Sequence, residues 1–130
     1  MSKTHGLVYW TELMTHDVPT AVKYYGEVCG WEFDVVPMGE GMGDYYLGKV
    51  GGQPVVGMMD MAAMGGMAET QPYWLSYFAV DDLDVAIAAT TAAGGQVTRA
   101  PFVVPGTGRI AILQDPTGAA MGMMTPEPME

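Results

Sequence analysis

Cysteine is almost missing: Cys29 is the single one in 130 residues. A lone thiol closes no internal disulfide, so nothing marks the chain for an oxidising compartment. Basic residues are nearly as scarce. Five Lys and Arg stand against 15 Asp and Glu, a net charge of −10. That balance argues against nucleic acid and against anionic membrane surfaces as partners. Long apolar runs are absent too. No stretch approaches the roughly 18 residues of a membrane span, and MSKTHGLVYW lacks the apolar run of a signal peptide. The expectation is a cytoplasmic protein. There is no Cys-x-x-Cys, no Ser-His-Asp set and no Gly-rich phosphate loop. Gly106-Thr107-Gly108 is a loop signal and weak as a phosphate motif. No cofactor is implied.

Methionine is abundant, at 13 residues. Its flexible thioether fills irregular gaps, so the expected use is core packing or an adaptable apolar cavity. At 49% hydrophobic and 15% charged the chain is too apolar for disorder. Its length fits one compact domain, or two small halves sharing a core.

A repeat organises the chain. VYWTELMTHD at 8–17 returns as YWLSYFAVDD at 73–82, an offset of 65 positions. The same offset lays Leu13 on Phe78, Val22 on Ile87, Gly30 on Gly95, and Gly57-Met58-Met59 on Gly122-Met123-Met124. One supersecondary unit is used twice. The expected layout is a first βαβββ module over 1–60, a linker over 61–72, a second βαβββ module over 73–124 and a tail over 125–130.

Each module has the same punctuation. Leu7–Met14 alternates as a strand, with Trp10 and Glu12 on one face. Asp17 is a candidate helix N-cap with Pro19 in the first turn. Val18, Ala21, Val22, Tyr25 and Val28 recur at helical spacing and Gly30 stops the helix. Cys29, at that helix end, is expected to be buried and inert. Trp31–Met38 and the hairpin 45–60 complete the first module. In the second, Tyr73–Val80 is a strand, Asp82 an N-cap, and Leu83, Ala86, Ile87, Thr90 and Ala93 a helix face closed by Gly94-Gly95. Gln96–Val104 follows, with Pro101 suggesting an edge or a bulge. Gly108–Gln114 and Ala119–Met124 make a hairpin around Asp115-Pro116-Thr117-Gly118.

This duplicated order resembles the vicinal oxygen chelate superfamily, which includes glyoxalase I, bleomycin resistance proteins, fosfomycin resistance enzymes and extradiol dioxygenases. The likeness rests on ELMTHDVPTAVKYY at 12–25, VDDLDVAIAATTAAGG at 80–95 and LQDPTGAAMGMM at 113–124. It implies an α+β fold in which two tandem βαβββ modules form a curved eight-stranded cleft. It also implies, in metal-using members, a divalent ion on four side chains from the first and last strands of each half. Those positions here are Trp10, Leu75, Gly57 and Gly122, none of which offers a donor atom from its side chain. The expectation is therefore no metal at the family site.

The remaining candidates line the same faces. Glu12, two residues past Trp10, and its repeat partner Tyr77 are candidate catalytic residues, the carboxylate as general base. Trp10, Glu12, Tyr45, Leu75, Tyr77, Phe102 and Arg109 are candidate ligand-binding residues. Aromatic rings among them, with Tyr73 and Trp74, suit a flat ligand. Arg109 suits an anionic group, or a salt bridge to one of the carboxylates. Three readings follow: a binding module that sequesters a small aromatic molecule; a metal-independent isomerase or lyase using Glu12 and Tyr77; and a metal enzyme with relocated ligands such as Glu12, His5 or His16. A homodimer is expected. Strands 7–14 and 73–80 hold one charge, Glu12, which protects an edge poorly. Tyr9, Tyr73 and Trp74 would otherwise form an exposed apolar patch.

Overall fold

The computed structural model describes residues 4–37, 43–61, 71–104 and 108–126. Most of the expected linker, Met38, the Gly106-Thr107 pair and the end of the tail lie outside the described residues. The elements run β1 (Val8–Thr15), α1 (Val18–Cys29), β2 (Glu32–Pro37), β3 (Asp44–Val50), β4 (Gln53–Asp60), β5 (Tyr73–Ala79), α2 (Leu83–Ala92), β6 (Gln96–Val104), β7 (Gly108–Gln114) and β8 (Ala120–Pro126). The fold is α+β with the βαβββ order used twice.

The chain divides into two compact units. One is Trp10–Trp74; in the other the N-terminal segment up to Tyr9 joins the chain from Leu75 onward. That segment is held by two backbone bonds, Gly6 N–H to the Ala79 carbonyl at 2.7 Å and Ala79 N–H to the Leu7 carbonyl at 3.0 Å.

The strand order is β2-β3-β4-β1 in the first unit and β5-β8-β7-β6 in the second. The parallel pairs carry the repeat residue by residue. Glu12, Leu13 and Met14 face Gly57, Met58 and Met59. Tyr77, Phe78 and Ala79 face Gly122, Met123 and Met124. Every one of these positions obeys the offset seen in the sequence. β2 ends the strand order of the first unit and β6 that of the second, and Val35, Val36, Val97 and Val103 on these strands are exposed.

The local signals act as their chemistry requires. The Asp17 carboxylate accepts from Thr20 N–H at 3.2 Å and from Thr20 Oγ1 at 2.7 Å. Gly30 closes α1 at φ 74°, a conformation only glycine enters without strain. Asp82 accepts from Val85 N–H at 3.1 Å to start α2. In the last hairpin Asp115 Oδ1 accepts from Thr117 N–H at 2.8 Å, Thr117 Oγ1 at 2.6 Å and Ala119 N–H at 3.1 Å. One carboxylate thus closes the turn between β7 and β8, a role that needs Asp at its first position.

In the second unit Leu83, Ala111, Leu113, Met121 and Val80 form a core against which Phe78, Ala86, Ile87 and Met123 pack. The methionines serve as packing: Met14, Met58, Met59, Met61, Met121 and Met124 are all buried. Cys29 corrects an expectation. It is exposed, because Val18 is the one residue of α1 that is buried outright and the last turn projects into solvent.

Candidate functional site

Strand alternation and register put Trp10, Glu12 and Met14 of β1 on the same sheet face as Gly57 and Met59 of β4 and Tyr45 of β3. Three of the residues expected at the site meet there. Trp10 Nε1–H donates to Tyr45 Oη at 2.9 Å. The Tyr45 hydroxyl in turn donates to Glu12 Oε2 at 2.7 Å. The second distance is that of a well-formed O–H···O bond. Glu12 is only 6% exposed, while Trp10 and Tyr45 are half-buried. A buried carboxylate is costly unless its lone pairs are used, and the phenol offsets part of that cost. The indole fixes the direction of the phenol: its N–H occupies a lone pair of Oη, leaving the hydroxyl hydrogen for Glu12.

Tyr73 belongs to the same unit. Burial is the main reason its phenol titrates above the ordinary value of 10.0, and the Glu12 charge adds to it. Glu12 therefore acts electrostatically on more than its direct partner.

Gly57 explains how Tyr45 reaches Glu12. A Cβ at position 57 would collide with the Tyr45 hydroxyl and ring, whose Cε2 lies 2.8 Å from that point. The backbone of Gly57 is not left-handed, so the glycine is demanded by space and not by conformation.

The second unit presents an equivalent face. Tyr77 is paired with Gly122, and a Cβ at 122 would meet the Tyr77 ring at 2.6–3.0 Å. Leu75 and Tyr77 are buried. Phe102 faces Ile110 and Arg99 faces Ile112, which itself faces Gly122. Arg99 lies 4.0 Å above the Phe102 ring. Two register shifts in β6 bring these residues, three apart in sequence, to one side.

Arg109 is not brought to this face. It alternates with Ile110 and lies on the side of Ala111 and Leu113, where α2 packs. Its guanidinium meets Asp84 at 3.0 Å. That hydrogen bond raises the Arg109 pKa and lowers the Asp84 pKa. Arg109 borders a hollow of about 360 Å³ with Asp81, Asp82, Val103 and Thr125. The cation that shares the face of Tyr77 is Arg99. Sequence reasoning missed it because the bulges that turn it are set by pairing; Pro101 was the one local hint.

A family model described as the Glyoxalase/Bleomycin resistance protein/Dioxygenase superfamily matches residues 8–122. The chain belongs to this superfamily. CFP32 of Mycobacterium tuberculosis, a protein provisionally named as a glyoxylase, is 35% identical over 118 residues, covering 91% of this chain and 45% of CFP32. DnrV of Streptomyces peucetius, an anthracycline biosynthesis protein, is 30% identical over 141 residues, covering 96% of this chain and 49% of DnrV. The chain thus spans about half the length of these relatives. Among solved structures, methylmalonyl-CoA epimerase from Mycobacterium tuberculosis superposes with a TM-score of 0.67 at 18% identity, over 98% of this chain and 94% of that one. That likeness is one of fold.

The residues present do not fit the superfamily's metal. Indole, isobutyl and two glycines offer no donor at the four family positions, and the space above both glycines holds tyrosine rings. Among the described residues, no three His, Cys, Asp or Glu side chains are grouped so as to hold an ion.

Proposed function

We propose that this chain binds a small, flat, aromatic molecule on the Trp10–Tyr45–Glu12 face, with no metal at the family position. The observation that carries the reading is the hydrogen-bonded chain from indole through phenol to a buried carboxylate. Rings supply stacking area at low entropic cost. Glu12 and Tyr45 supply an acceptor and a hydroxyl that select a ligand carrying a donor such as a phenol. Tyr77, Leu75 and Phe102, with Arg99, offer a second, more apolar face. The name of DnrV supports the choice of ligand class, since anthracyclines are flat and polycyclic. Native mass spectrometry and thermal shift against hydroxylated polycyclic aromatics test this. A Tm increase for phenolic ligands, lost in Glu12→Gln, is expected; no shift across such a panel defeats the reading.

A second reading has the same geometry behind it. Glu12, oriented by Tyr45, is placed to act as a general base in a metal-independent isomerase or lyase acting on a small carbonyl compound. The name of CFP32 points the same way. Here Tyr45 takes the part expected of Tyr77. Glu12→Gln then keeps the fold and loses turnover. Among the described residues no helix is long and apolar enough to cross a membrane, and a cytoplasmic location is part of this proposal. So does a homodimer: Tyr24 and Trp74 are 54% and 38% exposed beside a stacked Tyr25–Trp31 pair at 5.1 Å. Light scattering decides it, a mass that stays at 13.9 kDa on concentration excluding the dimer.

A further inference from the structure

We infer that the superfamily's metal site has been converted into two tyrosine-over-glycine pairs, Tyr45 on Gly57 and Tyr77 on Gly122, each excluding the ligand it replaces. Any side chain at 57 or 122, a metal-binding Glu or His included, must begin with a Cβ. At 57 that atom would overlap the Tyr45 phenol, and at 122 it would meet the Tyr77 ring at 2.6 Å. Both glycines have ordinary backbone conformations, so alanine is acceptable there in every respect but space. Ring and ligand are therefore alternatives. One position cannot drift back to a ligand while its tyrosine stays.

The two conversions use different strands. Tyr45 comes from β3, two strands from Glu12, and its ring passes over β4 to reach that carboxylate. Tyr77 comes from β5 and lies directly opposite Gly122. In the first unit the ring position on β1 is thereby left to Glu12, and the metal's place is given to a phenol hydrogen-bonded to a carboxylate. In the second the ring itself fills the space. The consequence is a site that recognises its ligand by hydrogen bonding and stacking. This deepens the proposed function and rests on it only for the word ligand; the steric exclusion stands or falls alone.

A mutant cycle on Tm tests it without any ligand. Gly57→Ala is expected to lower Tm by about 5 °C or more. In a Tyr45→Ala background the same change should cost little or even raise Tm. Gly122→Ala with Tyr77→Ala should behave likewise. If Gly57→Ala does not fold, a folded Tyr45→Ala/Gly57→Ala double variant supports the inference equally. A Gly57→Ala variant with wild-type Tm overturns it, as does a Gly57→Ala change that costs as much in the Tyr45→Ala background as in the wild type. Titration of the wild-type protein with Ni²⁺ and with Zn²⁺, followed by elemental analysis after desalting, gives the second arm. Less than one tenth of an equivalent retained is expected; one equivalent retained, and lost in Glu12→Gln, overturns the conversion.

Discussion

The two halves of this chain solve one steric problem in two ways. At Gly57 the covering ring comes from Tyr45 on β3; at Gly122 it comes from Tyr77 on β5. Carried across by the repeat, Tyr45 corresponds to Ile110 and Tyr77 to Glu12. Where one half has an aliphatic residue on its third module strand, the other has the phenol. Where one has a phenol on its first strand, the other has a carboxylate. The same backbone thus yields a polar hydrogen-bonded face in the first unit and an apolar, ring-filled face in the second. What differs between them is which strand supplies bulk, and that choice decides where a charge can be buried.

The largest effect should come from truncating the buried side of that comparison. Leu75 has no exposed surface, so Leu75→Ala should cost about 2–5 kcal/mol in urea unfolding. Trp10→Phe, at the equivalent position of the first unit, keeps most of its ring and loses the bond to Tyr45, for about 1 kcal/mol. Equal costs would show that the two faces are packed alike, against the asymmetry described.

Next come Tyr45 and Ile110. Tyr45→Phe keeps the ring over Gly57 but removes the donor to a buried carboxylate, with an expected loss of about 1.5–3 kcal/mol. Ile110→Val trims one methylene from a buried side chain, worth about 0.5–1.5 kcal/mol. The order of the two losses, read as shifts in urea midpoint at constant m, checks the assignment. A Tyr45→Phe variant as stable as wild type would mean that Glu12 does not depend on the phenol.

The pH dependence separates the halves at opposite ends of the scale. Tyr73 holds its proton more tightly folded than unfolded. Its contribution is complete below pH 10.0 and is lost as pH rises through the raised value. Absorbance titration should show its midpoint falling part of the way back in Glu12→Gln, because burial, the larger cause, remains. In the second unit the bond from the Thr117 hydroxyl, then those from the Ala119 and Thr117 amides, holds Asp115 below 3.8. That contribution is present above pH 3.8 and lost as pH falls through the lowered value. Asp115→Ala should give the smallest effect, a modest loss of Tm at neutral pH that vanishes in acid. The corresponding first-unit turn uses Gly51 and Gly52 at φ 55° and 81° and should show no such acid dependence.

Much of the architecture was legible because its causes are local. The offset of 65, the caps at Asp17 and Asp82, the stop at Gly30 and the Asp115 turn all depend on residues within a few positions of one another. Pro101 announced irregularity in β6 for the same reason. The candidate set Trp10, Glu12 and Tyr45 was also visible, through alternation and the repeat. Its wiring was not: Tyr45 is 33 residues from Glu12, and pairing across β3, β4 and β1 brings the phenol to it. Arg109 and Arg99 show the opposite failure. Strand parity alone could not tell which of them shares a face with Tyr77, since each bulge in β6 reverses parity. Cys29 was misjudged because helical spacing marks a face without saying how far along it the packing extends.

By itself the amino-acid order determined the duplicated βαβββ plan, the turn and cap chemistry and the lack of donor side chains at the family metal positions. Those follow from residue type, spacing and period, which need no third dimension. The tertiary structure alone decided that Tyr45 is the partner of Glu12, that Gly57 and Gly122 are glycines for want of space, and that Arg109 belongs with Asp84. Each of those depends on which strands lie side by side and in what register, and pairing is set by burial summed over the whole sheet, not by any one segment of sequence.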